Sequence, residues 1–458
     1  MSAAIPSAHA SRPLTAMLQG SMKLAEAAAG AVAVSGLMAV LTLVRGLAGT
    51  DAWIFFFLVT KPLVDLTWRW KFFEAGEQDV NIQTVVGLLL LALNAIVFFR
   101  KVADRRLPRG VLAFLAAAIF SLVCSPSSVG LNELVRLFSG SLFFYTAGPL
   151  LANVWRFNRF AKSFLAITAI PIVLSFLQQA RILPFDYWDW IDGWQIGRVS
   201  GTYPTPLNLI FLLIYAMPLA MYIAGSKHES RLAKKLAWVF LASASVAVAF
   251  TYHRAAYIVI TLEFLGWLYL SGRKKAAAVF LAAMAGAAVL SFTWLRMFYG
   301  QALGDSGSID GEFFRGRGLQ WYLFLNSLYT SGPFHWIFGN GGSVMANLDP
   351  QATSVLSSDE PHNDFIRILH AYGMVGLALY LSILGQFYRK AVSMLRDPEV
   401  FPRSLARIVL LALVSVVLLS VTTEPMRYPS AVWYLFALSS GLYCVERPRE
   451  PLSEAAGA

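Results

Sequence analysis

Asp359-Glu360-Pro361-His362-Asn363-Asp364-Phe365-Ile366-Arg367-Ile368-Leu369-His370 joins a polar run to an apolar one. Its polar half ends a water-exposed loop, and its apolar half runs through Gly373 and Gly376 into a long apolar segment that enters a membrane. Proline suits the first turn of a helix, and Asp359 or Glu360 is available as its cap, so the helix is expected to begin at the membrane face. His362 then sits where unpaired backbone N–H groups and the positive end of the helix dipole point outward. Such a place attracts phosphate and disfavours a charged imidazole, which keeps the ring available as a proton acceptor near neutral pH.

Working outward, the whole chain carries the same alternation. Of its 458 residues 57% are hydrophobic and only 14% are charged, a balance no soluble domain has. Apolar runs of roughly 17 to 25 residues recur, each long enough to cross a bilayer core of about 30 Å. The formal net charge of +11 could suggest nucleic acid, but the basic residues are spread over short loops between apolar runs, where they set topology. A nucleic-acid partner is therefore discounted. Residues 1–23 read as a polar, Ala-rich arm, and the first apolar run lacks a cleavage site. Cys124 and Cys444 lie in apolar segments near different membrane faces, which argues against a disulfide or a cysteine-based metal site.

Placing every basic loop in the cytoplasm predicts spans near 80–99, 111–124, 133–154, 163–180, 206–224, 236–251, 255–271, 276–294, 364–388, 405–422 and 431–445. Two further runs, 28–48 and 52–68, precede them; Lys61, Pro62 and Asp65 compromise the second, so one of the pair is read as tilted or re-entrant. The expectation is an all-α, polytopic transmembrane bundle of about 12 or 13 spans, a single integral membrane domain over 1–458. Four segments fall on the opposite face: 181–205, the turn at 251–254, the long loop 295–361 and the short loop 423–430. The long loop is large enough for short helices of its own.

That opposite face carries Arg198, His253, Arg254, Arg315, Arg317, His362, Asn363, Arg367, Glu424 and Arg427. Arginine should be depleted there, so each one retained at a span end needs a partner. Arg198 pairs with a ligand or with lipid headgroups; Arg254, in the tight hairpin turn Thr251-Tyr252-His253-Arg254, binds a ligand or snorkels to the interface. Glycines at 332, 339, 341 and 342 allow close backbone approach to a ligand, or simply make turns. Asn363, Arg367 and His370 share one helix face, with His370 too deep for chemistry and read as a packing histidine. The acidic, aromatic run from Asp186 to Trp194 reads first as an aromatic belt, second as a sugar-stacking platform and last as a metal cluster, because no histidine joins the acids. No P-loop, dinucleotide fingerprint or paired-cysteine zinc motif appears.

Four pieces of the chain, in order, resemble the O-antigen ligase and polysaccharide polymerase superfamily (Wzy/WaaL-like), bacterial membrane glycosyltransferases. Pro361-His362-Asn363-Asp364-Phe365-Ile366 with Gly373-Met374-Val375-Gly376 looks like the family's His-Asn helix and trailing Gly-x-x-Gly. Arg198-Val199-Ser200-Gly201-Thr202-Tyr203 looks like its Arg-x-x-Gly-Thr-aromatic segment, and His253-Arg254-Ala255-Ala256 stands at its Ser-Arg-small position, with histidine where serine is usual. Arg315 to Trp321 with Gly339-Asn340-Gly341 resembles its loop, and Pro206-Leu207-Asn208 matches a Pro-Asn pair only loosely. The match runs from about Arg198 to Gly376; the first 190 residues match in hydropathy alone.

The resemblance implies a GT-C-like bundle in the bacterial inner membrane with its long loop in the periplasm. Its activity would be metal-independent, inverting transfer of glycan from an undecaprenyl diphosphate carrier to an acceptor hydroxyl, with no cofactor. His362 would be the base, oriented by Asn363, with Arg198 and Arg254 on the diphosphate, Arg315 or Arg317 as a third cation, and His253, Tyr203 and Arg367 in the substrate site. Polymerisation of lipid-linked repeat units into exopolysaccharide or O-antigen is the expected activity, with membrane lipids and other polysaccharide assembly proteins as partners. Ligation of glycan to a lipid A core is the alternative within the family. A polysaccharide or lipid transporter, drawing on Lys61, Asp65 and Glu263, or a noncatalytic assembly subunit are the alternatives outside it.

Overall fold

A computed structural model of the protein describes residues 50–68, 71–75, 78–101, 108–126, 128–191, 194–284, 317–341 and 361–445. The first apolar run at 28–48 and much of the long loop, Arg315 included, lie outside the described residues.

The described chain is mostly helical. Its first helices are α1 (Thr50–Leu66), α2 (Ile82–Lys101), α3 (Gly110–Cys124), α4 (Ser128–Thr146), the single turn α5 (Gly148–Leu151) and α6 (Val154–Gln179). They continue as α7 (Pro206–Gly225), α8 (Arg231–Phe250) and α9 (Arg254–Leu270), after which 274–284 is also helical. In the long loop stand α10 (Arg317–Thr330) and α11 (Pro333–Phe338), followed by α12 (Asp364–Met394), α13 (Val400–Thr422) and α14 (Pro429–Cys444). Among the described residues five helices are long and apolar enough to cross a membrane: α6, α7, α8, α12 and α13.

Burial explains which helices line the middle. In α7, 15 of 20 residues are buried, as expected for a helix apolar on every side. By contrast α8 buries one stripe, Ala237, Phe240, Leu241, Ala244, Ala247 and Val248, at helical spacing. Its other face exposes Leu232, Leu236, Trp238, Val239 and Val246, which suits lipid and not water. Inside, α14 locks onto α4 where Trp433 donates to Ser139 Oγ at 2.8 Å and Val432 fills the space that Gly140 leaves open.

Successive helices alternate in direction, which divides the molecule into two ends. Contacts at one, here the lower end, include Lys162 with Glu229 at 2.7 Å and Tyr443 donating to the Gln386 carbonyl. Arg156, Arg159, Lys234, Lys235, Arg273, Lys274, Lys275, Arg389 and Arg403 gather there, as a positive-inside pattern requires. The upper end carries residues 198–206, 250–254, 317 and 361–363 together with the turn 423–428.

Three expectations change. The span expected at 133–154 is broken at Ala147: α4 starts earlier, at Ser128, and ends at Thr146, where the threonine hydroxyl bonds both Asn94 and its own helix's Leu142 carbonyl. The all-α reading misses two short antiparallel ribbons, β1 (Lys71–Ala75) with β2 (Gln78–Asn81), and β3 (Tyr187–Ile191) with β4 (Trp194–Arg198). In the second, Tyr187 pairs with Arg198, and the aromatic run that reads as a belt supplies the residue types strands favour. Third, Pro361 does not open the decisive helix, and Asp359 and Glu360 lie outside the described residues. Asn363 opens it, its side chain accepting from the N–H groups of Phe365 and Ile366. Asparagine caps as well as aspartate, and His362, at a φ of +48°, takes the chain out of helical geometry just before it.

Candidate functional site at the upper end

The core of the site is the clasp between residues 361–364 and 421–427. The His362 N–H donates to Glu424 Oε1 at 2.9 Å. The Asn363 side chain, besides capping α12, donates to the Val421 carbonyl at 3.1 Å. Asp364 Oδ2 accepts from Ser420 Oγ at 3.0 Å and from the Met426 N–H at 2.9 Å. From α10, Arg317 Nη1 reaches the Thr422 carbonyl at 3.0 Å, and the Trp321 indole donates to the Pro361 carbonyl at 2.7 Å. Six side chains from three segments thus hold one turn, and His362 is its half-buried centre.

The electrostatics follow. Burial first, and then the Arg317 and Arg427 guanidinium groups, push the His362 imidazole down to about 4. The direction agrees with the sequence expectation of a neutral ring, but two cations and burial produce it. Glu424 is 3% exposed, and its Oε2 lies 3.9 Å from Arg427 Nη1. The His362 ring itself makes no hydrogen bond among the described residues.

A second cationic corner forms around the α8–α9 turn. Arg198 Nε donates to the Thr251 carbonyl at 2.7 Å, and its guanidinium lies 5.6 Å from the Tyr187 ring centre. Arg254 is the exposed first residue of α9, and His253 is its half-buried N-cap residue, whose own side chain makes no capping bond. A cation at the positive end of a helix is doubly suited to an anionic ligand, which the guanidinium and the free N–H groups would meet together. Both arginines lie within electrostatic reach of Tyr257. Helix α9 then runs antiparallel to α13, with Glu263 accepting from Ser415 at 2.5 Å and Gly266 against Leu411, which carries Arg254 toward the end where Thr422 and Glu424 stand.

Other expected site residues sit elsewhere. Tyr203 is buried and donates to the Pro62 carbonyl at 3.0 Å. Arg367 is buried against Glu133, whose other oxygen takes Arg136 at 3.0 Å. His370 lies under the site, Phe324 edge-on to its ring and its carbonyl accepting from the Asn340 N–H, as a packing histidine should. The glycine-rich segment does approach a backbone closely, but the backbone is the chain's own. A Cβ on Gly339 would stand 2.3 Å from the Ala371 carbonyl oxygen, and one on Gly373 would stand 2.2 Å from that of Ile337. Gly373, at a φ of +68°, kinks α12 there, and Ser121 joins the two strands of chain by donating to Ala371 and accepting from Gly341.

Sequence reasoning placed Glu424 and Arg427 on this face without assigning them a role, and it passed over Gln178. That side chain accepts from the N–H groups of Ser200 and Gly201 at 3.0 and 2.9 Å, and thereby seats the Arg198 segment on α6. A buried glutamine near a helix end is the only signal, and it names no partner. No protein-family model matches this chain, and a search of curated proteins returns no match.

Proposed function

We propose that the protein is a membrane glycosyltransferase that transfers glycan from an undecaprenyl diphosphate carrier to an acceptor hydroxyl at the periplasmic face of the bacterial inner membrane. The finer architecture belongs to the same proposal: a GT-C-like bundle of 12 or 13 spans whose upper end faces the periplasm. One observation carries the reading. An unengaged, neutral imidazole and four arginines, Arg198, Arg254, Arg317 and Arg427, stand at the same end of an apolar helical bundle.

The chemistry needs those groups. His362 takes the proton of the acceptor hydroxyl as its oxygen attacks the anomeric carbon; the bond from that carbon to the diphosphate oxygen breaks, and the configuration inverts. The lipid diphosphate leaves with an extra negative charge, which planar guanidinium forks neutralise. Arg198 and Arg254 are assigned to the diphosphate, Arg317 to the charge developing nearer the base. Within this class we favour a polymerase of lipid-linked repeat units.

A second reading, transport, has an observation of its own. Lys61 and Asp65 form a buried ion pair inside α1, and Glu263 is buried in α9. Ionisable residues inside apolar helices mark ion or substrate paths in transporters. The deciding experiment is incubation of the purified, liposome-reconstituted protein with undecaprenyl diphosphate oligosaccharide and sizing of the products. A ladder of longer lipid-linked glycans supports the polymerase. Reaction only after a lipid A core is added would replace it with the ligase. Intact substrate moved across the bilayer would replace both with transport.

A further inference from the structure

We infer that Glu424 is the positioning residue that fixes His362, an inference that rests on reading His362 as the base. A histidine at φ +48° lies in the left-handed region, where its Cβ crowds the neighbouring carbonyl, so the turn persists only if something holds it. At residue 362 itself the hold is the 2.9 Å bond from the His362 N–H to Glu424 Oε1. The backbone on either side of Glu424 is held in place. The residues that follow it form the 3₁₀ turn Pro425–Arg427, whose Met426 N–H is held by Asp364, and Val421 before it is held by Asn363. Among the described residues the charged groups that face His362 are Arg317 from α10 and Arg427 and Glu424 from this turn. Because the carboxylate engages the peptide of residue 362 and not its ring, it places the imidazole without occupying it.

Two substitutions separate the hold from the charge. Glu424→Gln keeps an oxygen that accepts the N–H but has no charge; Glu424→Asp keeps the charge on a side chain too short to reach. Both would be reconstituted beside wild type and His362→Ala, and kcat and KM measured on the lipid diphosphate oligosaccharide. Carbethoxylation of His362 by diethyl pyrocarbonate, followed by mass spectrometry, adds a readout that needs no turnover. We expect Glu424→Gln to keep kcat within about threefold and Glu424→Asp to lower it by about tenfold or more with KM little changed, the signature of a misplaced group. The carbethoxylation rate should change in the aspartate variant and stay near wild type in the glutamine variant. If Glu424→Gln falls as far as Glu424→Asp, or Glu424→Asp matches wild type in both readouts, the positioning role is overturned. Should His362→Ala turn over like wild type, the base reading fails instead, and the labelling rates still decide whether Glu424 holds residue 362.

Discussion

His362 is held neutral by its surroundings, and the consequences can be titrated. An ordinary histidine charges near pH 6.5, whereas this ring resists until about 4. Between those values the unfolded chain binds a proton that the folded chain refuses. Stability is therefore full above about pH 6.5 and falls as pH drops toward 4. His362→Gln should remove that part of the acid sensitivity. Melting temperatures of wild type and variant across pH 4 to 7 would check it, and curves that stay parallel would refute it. A diphosphate analogue held by Arg198 and Arg254 with its negative charge near Arg317 would offset part of the repulsion that Arg317 exerts and return the ring toward its ordinary range, strengthening the base when donor is bound. In a labelled-histidine NMR titration the His362 midpoint should rise on adding the analogue; an unmoved midpoint would place the diphosphate elsewhere. The neutral ring was legible in Pro361-His362-Asn363, but its cause was not. Arg317 and Arg427 lie 45 residues before and 65 after His362, and nothing local says they converge.

At the scale of the element, α12 joins site and scaffold. It is two helices in line, kinked at Gly373 where the Ile337–Gly341 segment lies against it. Gly373→Ala would need both a φ that alanine resists and a displaced carbonyl, so it should destabilise by more than about 2 kcal/mol. Gly385→Ala, which meets open space in the same helix, is its control and should leave the melting temperature unchanged or raised. Arg367→Ala would leave the buried Glu133 with Arg136 as its remaining partner, and removing one member of a buried ion pair costs up to about 3 to 5 kcal/mol. A low melting temperature in that variant would assign the arginine to the scaffold; a fully stable protein with a raised donor KM would return it to the substrate site. The sequence showed the glycines and their unusual density. It could not show that they serve a helix instead of a ligand, because the contact joins segments more than thirty residues apart across the bundle.

The whole molecule separates its chemistry by end. Cations of the short connections collect below, and the imidazole with its arginines collects above, so it is the packing of helix ends that brings these groups together. Apolar runs and basic loops made legible the five helices long and apolar enough to cross a membrane, whereas the break at Ala147 has no charge or proline beside it to announce it before Pro149. The two arginines of the α8–α9 corner make a claim at this scale. Arg254 is exposed and caps no core, so Arg254→Ala should leave the melting temperature in place and raise the donor KM by about tenfold. Unchanged kinetics with the lipid-linked donor would remove it from the site.

The most direct test of the central claim compares wild type with His362→Ala in liposomes supplied with undecaprenyl diphosphate oligosaccharide, under single-turnover conditions at neutral pH. Wild type should transfer glycan, and the folded variant should bind donor with similar affinity while transferring at least about a hundredfold more slowly. Transfer at the wild-type rate in the variant would contradict the claim.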